Sequence, residues 1–131
     1  MTDDRSRRPT DAELDILNIL WERGPSTVRD VHDTLSATRK TGYTTTLKLM
    51  QIMAEKGLVR RDESQRAHVY RPALSRERTL RRIARDLMER VFEGSAETLM
   101  LHALRAKSVS GKELETIRRM LDEYAPHDEK D

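Results

Sequence analysis

Cysteine is absent from the 131 residues. A disulfide framework, a thiol nucleophile and a thiolate metal site are therefore excluded. Aromatic side chains are scarce: one Phe, one Trp and three Tyr leave no material for a large aromatic core. No apolar run approaches the roughly 20 residues that a membrane-spanning helix needs. The stretch from Met1 to Pro9 carries Asp3, Asp4, Arg5, Arg7 and Arg8, unlike the apolar centre of a signal peptide. No membrane insertion and a cytoplasmic location are the resulting expectations. The four histidines, His32, His68, His102 and His127, are scattered, with no HExxH pair and no Gly-rich phosphate loop nearby. An enzyme, a metal site and a cofactor are not expected.

What the chain does have is charge. Charged residues make up 37% and hydrophobic ones 36%, an apolar-poor balance that a second subunit covering part of the surface would explain. The net charge is only +2, but it is unevenly spread. Between Thr38 and Arg71 eight Lys or Arg stand against three acids, while the residues from Ala73 onward balance. Positive charge is thus concentrated mid-chain, where a polyanion can be met.

Periodicity predicts a helix over about residues 11–23, opened by a Thr10–Glu13 capping box and stopped by Gly24-Pro25. Trp21 reads as a core residue. Ser26 or Thr27 caps a second helix with Val28, Val31 and Leu35 on one stripe, running to about Ala37. After a polar connection, a third helix covers about Tyr43 to Lys56, with Thr46, Leu49, Met50 and Met53 facing inward and Gly57 as its stop. The period then changes. Leu58–Arg61 and Ala67–Arg71 read as two strands of a hairpin around the polar turn 62–66, ended by Pro72. Tyr70 either supports that hairpin or fills the core.

From Ser75 onward everything reads as helix, with a break at Gly94-Ser95 and a capping box at Ser110–Glu113. Leu80, Ile83, Ala84, Leu87 and Val91, then Leu99, Met100 and Ala103, then Leu114, Ile117 and Leu121, recur at spacings that suit helix–helix seams. These residues are the expected homodimer interface, with packing onto the N-terminal half as the alternative. The fold class is thus mainly α with a small β-hairpin: a winged helix-turn-helix domain plus a C-terminal helical dimerisation domain. The expected boundaries are a flexible arm at 1–9, the winged-helix domain at 10–73, the helical domain at 74–125 and a disordered tail at 126–131. Pro72–Ser75 reads as a hinge between the two domains.

Three short helices followed by a basic hairpin suit a unit whose later helix lies in the major groove of DNA. The expected reading residues are Arg39, Lys40, Thr41, Tyr43, Thr44, Thr45, Leu47, Lys48 and Gln51. Hydroxyls and an amide reach base edges or phosphates, and Leu47 suits a thymine methyl. Arg60, Arg61, Arg66 and His68 would form a wing near the phosphate backbone or the minor groove. A basic helix face on its own is more often a solvated surface; the order of the elements is what favours DNA. A protein–protein adaptor on the same scaffold is the alternative. A ligand-sensing regulator is a third possibility, with no polar cluster pointing to it.

With these elements placed, "PTDAELDILNILWERGPSTVRDVHDTL", "GYTTTLKLMQIMAEKGLVRRDESQRAHVYRP" and "VFEGSAETLMLHAL" resemble the BlaI/MecI family of penicillinase repressors. The likeness runs from about Pro9 to Tyr124. It implies a winged-helix domain, a dimer, a double-stranded operator with dyad symmetry, and repression relieved through a membrane zinc-metallopeptidase sensor. The family is cut at an Asn-Phe pair, where this chain has His102-Ala103; that departure leaves the cleavage region an open expectation. Copper-responsive relatives sense metal through cysteines, which this chain lacks.

Overall fold

The computed structural model describes residues 8–124. The expected tail at 126–131, and residues 1–7 of the expected arm, lie outside the described residues. The elements are α1 (Asp11–Arg23), β1 (Ser26–Thr27), α2 (Val28–Leu35), α3 (Tyr43–Lys56), β2 (Val59–Asp62), β3 (Val69–Pro72), α4 (Arg76–Val91), α5 (Ala96–Ala106) and α6 (Gly111–Glu123). The chain divides into two compact units, residues 1–85 and 86–131, and the division falls inside α4.

Local chemistry sets the helix ends. The Thr10 hydroxyl accepts from Glu13 N–H while the Glu13 carboxylate accepts from Thr10 N–H, so two otherwise unpaired donors of α1 are satisfied reciprocally. Thr27 and Asp30 repeat the device at the start of α2. At the far end of α3, Gly57 takes φ +82° and its N–H reaches Met53 and Ala54 carbonyls, a left-handed stop that a Cβ would strain.

In the first unit the three helices enclose one core. Ile16, Leu17 and Leu20 come from α1, Val28, Val31 and Leu35 from α2, and Met50 and Met53 from α3; Val59 and Tyr70 close it from the sheet. Trp21 flanks this core and its indole N–H donates to the Leu74 carbonyl at 3.1 Å. Ala73 N–H in turn donates to the Leu58 carbonyl. Residues 73 and 74 are therefore tied back to α1 and to the approach to β2.

The sheet has one strand more than the hairpin predicted from the sequence. Its order is β1-β3-β2, all antiparallel, with Ser26 opposite Tyr70 and Thr27 opposite Val69. Thr27 does double duty: extended at φ −82° and ψ 169°, it pairs with β3 and caps α2. The hairpin strands also lie one or two residues further along than predicted. Pro72 closes the ladder opposite Val59 instead of standing outside it, which its missing N–H permits at a strand end. In the turn that follows β2, the Asp62 carboxylate accepts from Ser64 N–H at 2.9 Å.

One ion pair links the last turn of α3 to the first turn of α1. Lys56 Nζ lies 2.6 Å from Glu13 Oε1 and 2.9 Å from the Arg8 carbonyl. The Glu13 side chain is 3% exposed and that of Lys56 17%. Removing one partner of such a pair strands a charge in a poor solvent.

In the second unit, Ser95 and Ser110 cap α5 and α6 by accepting from Thr98 and Glu113 N–H. Phe92 and His102 rings approach to 5.8 Å between centroids. Among the described residues from 86 onward, no side chain reaches full burial.

Two outcomes follow from these contacts. Lys56→Met should lower the unfolding free energy by about 2–4 kcal/mol in urea titrations, because the buried Glu13 carboxyl loses its cation; a change under about 0.5 kcal/mol would show the pair to be idle. The Ser64 N–H, aided by its side chain and by Arg71, holds the Asp62 carboxyl below the usual carboxylate range. Since the folded value is depressed, the turn keeps its bond above the ordinary Asp range and loses it as pH falls through the lowered value. The Ser64 amide resonance should accordingly titrate with a midpoint below the unperturbed value of about 3.9; a midpoint at or above that contradicts the assignment.

Candidate nucleic-acid interface

Helix α3 divides its sides cleanly. Thr46, Met50 and Met53 are fully buried. Thr44, Lys48 and Gln51, spaced i, i+4, i+7, share the outward stripe and are all exposed, with exposed Thr45 beside them. Tyr43, Leu47 and Met50 form a neighbouring row at the same spacing, and this row turns into the core. Leu47, expected to meet a thymine methyl, is half-buried and packs against the core cluster. Ile52, which the sequence reading passed over, is an exposed apolar residue of α3.

The start of α3 differs from the other helix starts. Gly42 is its N-cap, with no side-chain cap bond and no acid in the first turn. Among the described residues, every other helix takes a hydroxyl cap, from Thr10, Thr27, Ser75, Ser95 or Ser110. The first N–H groups of α3 are thus left to an outside acceptor, and the helix dipole favours a negative one.

Tyr43, at that start, is held from α2. The Arg29 guanidinium lies 4.5 Å from the centre of its ring, and the His32 ring meets it edge-on at 5.6 Å and 79°. His32 Nδ1 is 3.1 Å from the hydroxyl of buried Thr46, and that hydroxyl also donates to the Gly42 carbonyl at 3.3 Å. Asp30 steadies the same end of α2. Its carboxyl is held below the usual range by the backbone N–H of Thr27, then by the Thr27 hydroxyl, with Arg23 assisting.

The approach to α3 is mixed. Lys40 is exposed and Thr41 half-buried. Arg39 folds back onto α1, with Nη2 2.7 Å and Nε 3.1 Å from Asp15 Oδ2. A pair that exposed is worth only about 0–1 kcal/mol, so a competing anion can displace it.

In the hairpin, Arg60, Arg66 and His68 are exposed and form no ion pair among the described residues. Arg61 behaves differently. It sits 2.7 Å from Glu63 and stands directly opposite Tyr70 in the ladder; the tyrosine first, then Glu63, raises its pKa. Tyr70 itself fills the core. Arg60 stands directly opposite Arg71 in the ladder, a like-charge pair that sequence reasoning left out of the site. Like charges directly opposite are destabilising unless something neutralises them.

The residues expected at a subunit interface are mostly open to solvent. Leu80, Leu87, Val91, Met100 and Leu121 are exposed, with Val91 at 62% and Leu121 at 56%. Ala84 and Ala103 are exposed as well, and Ile83, Leu99, Leu114 and Ile117 are half-buried. Leu101, Leu104, Met120 and Tyr124 add exposed apolar surface. His102 and Ala103 lie within α5, so the peptide bond between them is helical. No helix among the described residues is long and apolar enough to cross a membrane.

Comparison with known proteins agrees with this architecture. The profile of the family described as penicillinase repressor matches residues 9–123. The chain is similar to the transcriptional regulator BlaI of Mycobacterium tuberculosis, 34% identical over 115 residues that cover 86% of this chain and 82% of the relative. It is also similar to the penicillinase repressor of Bacillus licheniformis, at 22% identity over 88% of this chain and 90% of that one. The solution structure of the DNA-binding domain of the repressor BlaI superposes with a TM-score of 0.50 at 22% identity, covering 58% of this chain and 90% of that domain, which supports the winged-helix fold. By its motifs, its fold and its near full-length match, the chain belongs to the penicillinase repressor family.

Proposed function

We propose that this chain is a transcriptional repressor that binds double-stranded DNA as a homodimer at an operator with dyad symmetry. The observation that carries the reading is the outward stripe of α3. Thr44, Lys48 and Gln51 share it, the helix start beside it is uncapped, and basic wing residues follow in the chain. Hydroxyl and amide groups on this stripe read base edges, while Lys48 and the free N–H groups suit phosphate. Thr45 and Tyr43 flank the stripe on either side; Lys40 and Thr41 lead into it. Arg39 joins once phosphate replaces Asp15. Arg60, Arg66 and His68, with Arg61 held beside Glu63, lie along the backbone and set register more than sequence.

The homodimer reading rests on the apolar surface of α4, α5 and α6. A unit with no fully buried side chain gains little from folding alone, and a second copy related by a twofold axis covers the same surface on both partners. Two linked reading helices then bind half-sites with a high effective concentration. The protein–protein adaptor remains the rival, and the absence of any salt-sensitive DNA binding would favour it. Relief through a membrane zinc-metallopeptidase sensor fits the family; with His102-Ala103 held in α5, cleavage there first requires local unwinding. Repression needs no chemistry from the chain itself, and the reading assigns it no enzymatic activity.

Arg60→Ala should weaken binding to specific and nonspecific duplexes alike, and the slope of log affinity against log salt should shrink by about 1. Thr44→Ala should instead change the base preferred at one position, read by selection from a randomised duplex pool; the reverse assignment would overturn this division of roles. A Val91→Glu, Leu121→Glu variant should sediment as a monomer while keeping its helical circular dichroism, and should lose operator affinity by at least about tenfold. A variant that stays dimeric would refute the interface.

A further inference from the structure

We propose that Arg29, on α2, is a positioning residue for sequence reading. It holds Tyr43 at the entrance of α3 in one orientation, so that Tyr43 contributes base-pair preference. This inference rests on the DNA-binding reading above and extends it to a residue outside the helix that reads.

Tyr43 keeps part of its ring at the protein surface. It occupies the first position of α3 and remains 37% exposed, so packing alone does not fix it. Two side chains of α2, three residues apart and thus on one face, do so instead. Arg29 places its guanidinium carbon over the ring, 4.5 Å from its centre, and His32 meets the ring nearly at right angles. His32 is anchored in turn by buried Thr46 of α3 and lies 3.4 Å from the Ser36 hydroxyl. Ser36 spends its own proton on the His32 carbonyl, at 2.8 Å, and Thr46 donates its proton to Gly42. The cluster therefore runs from the sealed side of α3, through α2, to an aromatic ring at the helix entrance.

Arg29 has no carboxylate partner among the described residues; the ring is the contact it makes. A planar guanidinium lies flat on such a ring in a way that a lysine ammonium cannot reproduce. The arrangement thus uses a charged residue to orient an aromatic one. An aromatic residue whose orientation is set before binding loses less freedom when it meets its target.

The probe for the test is the duplex that wild-type protein enriches from a randomised pool. Arg29→Ala should weaken its binding about fivefold, the scale of an exposed cation–π contact. In a Tyr43→Ala background the same change should matter less than twofold, because the partner it positions is gone. Arg29→Lys should not restore affinity. Selection with Arg29→Ala and with Tyr43→Ala should relax preference at the same base pair, while the melting temperature of Arg29→Ala moves by less than about 4 °C. Additive losses, a salt slope lowered by about 1 and rescue by lysine would make Arg29 a simple phosphate contact and overturn the proposal. So would an unchanged preference in Arg29→Ala. If wild-type protein enriches no duplex at all, the DNA-binding reading fails first, and the inference falls with it.

Discussion

The sealing of one side of α3 governs the rest of the molecule. Thr46, Met50 and Met53 are removed from water by α1, α2 and the sheet, and a helix held along three such positions cannot rotate about its axis. Because side chains repeat every 3.6 residues, fixing that stripe also fixes the opposite one. Thr44, Lys48 and Gln51 therefore face outward as a consequence of core packing, with no dedicated support of their own. The Glu13–Lys56 pair adds a second restraint at the other end, joining the last turn of α3 to the first turn of α1.

Electrostatics divides the first unit between restraint and availability. Acids hold Arg39, Arg61 and Lys56 in place, and the acids of the capping boxes satisfy α1 and α2 from within. The start of α3 receives neither a cap nor an acid, and Arg60 faces Arg71 across the ladder. Both features cost stability in isolation and both favour a polyanion. Their presence on consecutive elements, beside the polar outward stripe of α3, favours the proposed binding surface over an ordinary solvated one.

Much of this was legible in the sequence, for identifiable reasons. The ends of α1 and α3 could be read because Thr10, Glu13, Gly24 and Gly57 are strong local signals. Strand β1 could not, since two residues are too few to show alternation and Thr27 already reads as a cap. The half-burial of Leu47 was not legible on local grounds: it neighbours exposed Lys48 in sequence but packs against the core cluster. Contacts between distant residues were invisible, among them Arg39 with Asp15, Trp21 with Leu74 and Arg29 with Tyr43. In each case the partner is set by how helices pack, and no spacing rule reports it. The apolar periodicity of α5 and α6 was legible, though it does not reach the exposed Leu101 and Met120.

The central claim is that the outward stripe of α3 and the adjoining hairpin form the surface that meets DNA. Backbone amide shifts followed by NMR, while the enriched duplex is titrated into the labelled protein, test it residue by residue. The account predicts the largest changes between residues 40 and 51 and between 60 and 68, with little change in α5 and α6 beyond the general broadening of a larger complex. Strong, saturable changes centred on α5 or α6, with residues 43–51 unaffected, would contradict it.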